Sequence, residues 1–189
     1  MLIKEYINTT GLKPLPSRWV IEWKLKSAVM VVKCRLCLKG FAERNQHLMH
    51  TYSPTATRLG HKMIALDSAL QGWELWSLDV STAFLKGWSF DEVRKAGFDR
   101  QPCAFIPPKD VFEIWAKYDP RFKSCLSTWD QWCIWLDKAA YGLKDAPLLW
   151  NLAIVMVLMF DLTLERCSHD VCIFTKLVDG VVVLRLSLH

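Results

Sequence analysis

No stretch of this sequence is both long and apolar enough to span a bilayer. The best candidate, APLLWNLAIVMVLMF (146–160), is interrupted by Asn151 and falls short of the roughly 20 residues a membrane helix needs. The opening MLIKEYINTT has neither the apolar core nor the small-residue cleavage site of a secretory signal. Internal repeats and low-complexity linkers are also missing. Cysteine offers no disulfide framework, because the seven residues are odd in number and irregularly spaced. The expectation is a chain with reduced thiols in an intracellular compartment, cytoplasmic or nuclear, and without a membrane partner. A disordered tail is excluded in turn by the 52% hydrophobic content, which over 189 residues can bury a core as one domain or two small lobes.

What is abundant is tryptophan and, locally, positive charge. Ten Trp residues suit either stacking surfaces for bases or large core and interface positions. The net charge of +5 is unevenly placed. Residues 1–44 hold nine Lys and Arg against three Asp and Glu, so the remainder is slightly acidic. A basic N-terminal third suits a polyanionic partner, or a solvated surface.

The periodicity orders the chain as strand pair, helix, strand, helix, strand hairpin. SRWVIEWKLK (17–26) and AVMVVKCRLCLKGF (28–41) alternate as two strands of a hairpin. In SPTATRLGHKMIALDSALQGW (53–73), Leu59, Met63, Leu66 and Leu70 recur at helical spacing. Ser53 or Thr55 is placed to cap that helix and Gly72 to close it. WELWSLDVSTAF (73–84) reads as a strand with mixed faces. Residues 88–128 lack a clean period and form an elaborated loop with one short helix near Val111–Lys117. CIWLDKAAYGLKDAP (133–147) gives a strand, a turn at Tyr141 and Gly142, and the start of the apolar helix. Two final strands join at Asp179 and Gly180, a strong hairpin signal. The fold class expected is α+β, an antiparallel sheet covered by helices on one face.

The residue most suggestive of chemistry is Asp79, a carboxylate at the end of an apolar run, next to small residues and Phe84. A hard cation such as Mg²⁺ takes carboxylate oxygen together with substrate phosphate oxygen, whereas a purely structural Asp would bond a neighbouring backbone N–H. In AAYGLKDAP (139–147), Gly142 permits close backbone approach and Lys144 offers a point charge suited to phosphate.

Taken in order, CRLCLKGF (34–41), TYSPTATR (51–58), WSLDVSTAFLKG (76–87), AAYGLKDAPLLW (139–150), HDVCIF (169–174) and VVVLRLSLH (181–189) resemble the successive elements of copia-type retrotransposon reverse transcriptases. The resemblance spans residue 17 to the C-terminus, with 1–16 an N-terminal extension. It implies the fingers and part of the palm of a right-handed polymerase, working on an RNA or DNA template-primer with deoxynucleoside triphosphates and Mg²⁺. Position by position, Asp79 resembles the first metal-binding aspartate, and the carbonyl of Val80 a further ligand. Phe84 resembles the aromatic gate that collides with a ribose 2′-OH. Arg35 and Lys39 fall where the fingers hairpin reaches the triphosphate. Tyr141, Gly142 and Lys144 resemble the turn supporting nucleotide and template base.

Three departures qualify the resemblance. The family's paired aspartates follow the last strand, and here the sequence stops at His189, so two of the three expected carboxylates are missing. Asp137, Asp170 and Asp179 are poor substitutes, since Asp170 belongs to the HDVCIF element and Asp179 to a hairpin turn. Asp145 stands where the family usually has an uncharged Gln, and the helix after Trp150 is unusually apolar. The chain by itself is therefore expected to be inactive. Two other readings compete. One is a non-catalytic basic, Trp-rich nucleic-acid-binding remnant. The other is a Cys₂His₂ zinc module from Cys34, Cys37, His47 and His50, whose spacings are shorter than those of a usual finger.

Overall fold

The computed structural model describes residues 1–44 and 49–189. The chain divides into two compact units, residues 1–51 with 88–146, and residues 52–87 with 147–189.

The first unit is built on a four-stranded sheet in the order β2-β1-β3-β4. β1 (Leu15–Lys26) and β2 (Val29–Leu38) form the expected hairpin. β3 (Cys103–Ile106) runs parallel to the start of β1 and antiparallel to β4 (Ile134–Leu136). Directly opposed residues in an antiparallel pair share a face. Trp19, Ile21, Trp23 and Leu25 therefore lie beside Leu36, Cys34, Val32 and Met30, making one face wholly apolar. The alternate residues, including Arg18, Glu22, Lys24, Lys26, Lys33 and Arg35, place all the hairpin's charge on the other face. Ser27 and Ala28 both have positive φ, 48° and 65°, as a two-residue turn matched to strand twist requires.

Helix α1 (Ile3–Thr10) anchors this unit's core. Its Tyr6 is buried with Ala104 and Cys133, and the phenol donates to the Pro102 carbonyl at 3.2 Å. Burial pushes the Tyr6 pKa up to about 12. Helix α3 (Phe90–Lys95) starts at Ser89, whose hydroxyl accepts from the Glu92 amide while Glu92 bonds back to the Ser89 amide. Helix α4 (Lys109–Tyr118) packs Phe112 and Trp115 against Phe122, and contains the short helix expected near 111–117.

The second unit carries a three-stranded antiparallel sheet, β5 (Glu165–Arg166), β6 (Ile173–Val178) and β7 (Val181–Ser187). β6 and β7 turn at Asp179 and Gly180, both at positive φ, as the hairpin signal indicated. Helix α2 (Arg58–Gln71) ends at Gly72 in the left-handed conformation. Helix α5 (Ala146–Met156) winds into a π-turn over Val157–Asp161, and Leu158, Leu164 and Phe174 form the local core. No helix among the described residues is long and apolar enough to cross a membrane.

The α+β class is as expected, but several details differ. Among the described residues there are two sheets rather than one, and the β1–β3 junction is parallel. The α2 cap is Thr57, not Ser53 or Thr55: its hydroxyl accepts from the Gly60 amide at 3.0 Å. The apolar stripe of α2 is exposed at Leu59, Met63, Leu66 and Leu70, because the helix instead buries Gly60 and Ser68 and ion-pairs Asp67 with Arg185 of β7. Residues 73–80 form no strand. An isolated extended segment leaves its own backbone groups unpaired, and neither sheet has a strand beside this one.

Candidate functional site

In the first unit, the strand end after β2 and the 141–144 turn meet at backbone distance. The Leu38 amide donates to the Tyr141 carbonyl at 2.8 Å, and the Lys39 amide to the Pro16 carbonyl at 2.8 Å. Two glycines permit this approach. A Cβ on Gly40 would lie 2.2 Å from the Gly142 carbonyl oxygen, and one on Gly142, at φ 97°, would lie 2.0 Å from the Leu38 oxygen. Lys39, Tyr141, Gly142 and Lys144, separated by about a hundred residues in sequence, are thereby assembled at one place. Lys144 is exposed, while Lys39 and Tyr141 are half-buried. Arg35 lies further along β2 and is ion-paired with Glu22 on the charged face of the hairpin.

Beneath the turn is a cluster of charge that the sequence reading missed. Arg100, only 3% exposed, lies with its Nε 2.7 Å from Asp145 and its Nη1 2.5 Å from Glu43. Its guanidinium also sits 4.2 Å over the Phe90 ring. Burial pushes the Asp145 and Glu43 carboxyls up, opposed by the Arg100 charge, and burial works against the Arg100 cation, which the two carboxylates hold strongly protonated. The acid at 145 thus has a partner in Arg100. Asp145 was visible as an anomaly in sequence; Arg100 lay in a stretch without periodicity and gave no signal.

In the second unit, Asp79 and Val80 lie exposed in the irregular segment. Phe84 is half-buried in a 3-10 turn over Ala83–Lys86 that follows Thr82 at φ 55°. Gly87 closes this element against α5, where an added Cβ would lie 2.9 Å from backbone atoms of Leu149 and Trp150. Among the described residues, no group of three or more His, Cys, Asp and Glu stands together as an ion site. Asp79 offers one exposed carboxylate and belongs to no such group among the described residues.

Asp170 has a structural task. Its Oδ2 accepts from the Thr57 amide at 2.9 Å and the Thr57 hydroxyl at 2.8 Å, and its Oδ1 from the Cys172 amide at 3.0 Å. Those bonds, led by the Thr57 amide, hold its carboxyl below the usual range. The TYSPTATR and HDVCIF elements are joined by these contacts. Cys34 and Cys37, three apart on β2, lie on opposite faces of the strand and do not converge. His47 lies outside the described residues.

These contacts tie the sequence elements together pairwise: CRLCLKGF to the YGLK turn, TAFLKG to the helix after it, and SPTATR to DVCIF. The chain belongs to the reverse transcriptase (RNA-dependent DNA polymerase) family, whose model matches residues 6–187. Within it, the similarity is to retrotransposon enzymes of the copia type. The chain is 28% identical over 169 residues to the Retrovirus-related Pol polyprotein from transposon TNT 1-94 of Nicotiana tabacum, covering 88% of this chain and 11% of that protein. It is 29% identical over 136 residues to the Retrovirus-related Pol polyprotein from transposon RE2 of Arabidopsis thaliana, covering 70% and 8%. The chain therefore spans about a tenth of the length of these relatives. No solved structure matches it.

Proposed function

We propose that residues 17–189 are the fingers and N-terminal palm of a copia-type reverse transcriptase, with residues 1–16 an N-terminal extension. The activity of the parent protein in this reading is RNA-directed DNA synthesis from deoxynucleoside triphosphates on an RNA or DNA template-primer. The observation that carries it is the backbone contact of Leu38 with Tyr141, closed by Gly40 and Gly142. It brings two motif elements together and leaves Lys144 exposed beside them as a cation for phosphate. Arg35 and Lys39 are the triphosphate-facing cations in this reading, with Arg35 exchanging Glu22 for phosphate. Tyr141 and Gly142 support the nucleotide, and Phe84 excludes the ribose 2′-OH.

In this reading Asp79, with the Val80 carbonyl, would hold Mg²⁺. Transfer of a nucleotidyl group by two ions about 4 Å apart needs carboxylates on both. One acid does not supply them, so the 189-residue polypeptide alone binds template-primer without extending it. The test is a primer-extension assay with Mg²⁺ beside a binding titration at several salt concentrations. The expected result is no added nucleotide, together with binding whose logarithm falls linearly with the logarithm of salt and weakens in Lys39→Ala and Lys144→Ala. Extension that disappears in Asp79→Asn overturns the inactivity. Absence of any salt-dependent binding overturns the nucleic-acid reading itself.

A further inference from the structure

The β1–β2 hairpin carries an apolar face that nothing in the described structure covers beyond Trp19. At Trp19 the indole donates to Asp110 at 2.7 Å, which fixes the base of that face. Further out, Ile21 is 65% exposed, Trp23 68%, Leu25 69%, Met30 56% and Val32 49%. Scaling about 200 Å² for a large side chain by these exposures gives on the order of 600 Å² of apolar surface on one side of a two-stranded ribbon. Monomeric proteins rarely leave contiguous patches above a few hundred Å² without a partner.

We propose that this face is a homodimer interface, in which two copies of the chain stack their hairpins as a four-stranded sandwich. Two features select a second copy as the occupant. The first is area: paired about a two-fold axis, the two faces bury about 1,200 Å², at the threshold of a specific interface. The second is charge. The face has no ionisable side chain except the Cys34 thiol, so an identical face meets it without unpaired charge. A nucleic acid would require cations there, and Lys24, Lys26, Lys33 and Arg35 all project from the opposite face. The alternation of a pleated strand makes these two surfaces independent, leaving the charged one open in the dimer. This interface does not depend on the polymerase reading.

Sedimentation of the whole chain without nucleic acid, from sub-micromolar concentrations to about 100 µM, tests it, since interfaces of this size reach micromolar affinity. The expected result is a rise from monomer to twice the monomer mass, reversed by Trp23→Lys and left unchanged by Lys24→Ala on the other face. The Cys34 thiol provides a second readout in the unaltered protein, because it is free and exposed on the apolar face. Its alkylation should slow several-fold as concentration rises, while that of Cys37 on the opposite face stays constant. If Trp23→Lys fails to fold, the thiol measurement decides. A monomer at every concentration, a dimer that survives Trp23→Lys in a folded variant, or a Cys34 rate independent of concentration each overturns the proposal. Association that appears only after an oligonucleotide is added also overturns it.

Discussion

The Leu38 amide donates to the Tyr141 carbonyl at 2.8 Å, and the same approach leaves Gly142 without room for a side chain. Two causes act together at Gly142. Its φ of 97° is disfavoured for any L side chain, and an added Cβ would fall 2.0 Å from the Leu38 oxygen, a backbone atom that cannot rotate away. Gly142→Ala should therefore cost about 3 kcal/mol, measured as a lowered midpoint in urea at constant slope. Gly11 is the control: its φ is 69° but nothing lies within 4 Å, so Gly11→Ala should cost only about 1 kcal/mol. Equal losses at the two positions would show that the close contact is not formed.

The ion cluster under that turn makes a second prediction. Arg100 is the cation shared by buried Glu43 and Asp145, and Arg100→Met leaves two acids facing each other without it. Removing one partner of a buried ion pair costs about 3–5 kcal/mol. The sign of its pH dependence follows from burial, which already pushes both carboxyls up. Without the cation, the folded state holds protons on these acids more tightly than the unfolded state does, so the variant loses stability as pH rises. Urea melts at pH 5 and pH 8 should show the larger deficit at pH 8. A deficit that is the same at both would mean that the two acids titrate alike with and without the cation.

A third prediction concerns Asp170, where the sign is opposite. Hydrogen bonds from the Thr57 and Cys172 amides hold its carboxyl below the usual range, so the folded state binds that proton less readily than the unfolded one. Its stabilisation is complete above the ordinary carboxylate range and is lost as pH falls through it. Asp170→Ala should cost about 1–2 kcal/mol at neutral pH, from the loss of bonds that hold Thr57 as the α2 cap. The difference from the unaltered protein should shrink on acidification, read by thermal unfolding between pH 7 and pH 3.

How far these relationships were legible beforehand differs by their range. Elements whose information is local were readable. The β1–β2 hairpin alternates with period two, Gly72 terminates α2, and the Asp179–Gly180 pair turns β6 into β7. The strand expected over residues 73–84 was not, because a strand depends on a neighbour to take its hydrogen bonds, which the sequence of the segment does not name. Likewise, the Leu59, Met63, Leu66 and Leu70 stripe marks helix correctly but not which face is buried. Gly60 packs its backbone close to Ile173 and Asp170, and that places the apolar stripe in solvent. Of the candidate site, Gly142 was readable as a point of close approach, but its partner Leu38 is about a hundred residues away. Arg100 carried no pattern, since a buried cation is identified only by the acids that surround it.

The hairpin tip yields a stabilising prediction. Ser27 and Ala28 both occupy positive φ, at 48° and 65°, where a side chain crowds its own backbone. A two-residue turn with this geometry favours Asn followed by Gly, because both tolerate the left-handed region and its twist matches the paired strands. The penalty is about 1 kcal/mol for an Ala, partly offset by the larger unfolded-state freedom of Gly. Ala28→Gly should then raise stability by a few tenths of a kcal/mol to about 1 kcal/mol, and Ser27→Asn with Ala28→Gly should raise it further. Chemical denaturation measures the gain, and amide exchange at Val31 and Lys33 locates it, since protection there should rise with turn stability while exchange at Phe174 in the other unit stays fixed. A loss of stability on Ala28→Gly would mean that the turn adopts a different conformation, and with it that the strand register placing Trp23 opposite Val32 is wrong.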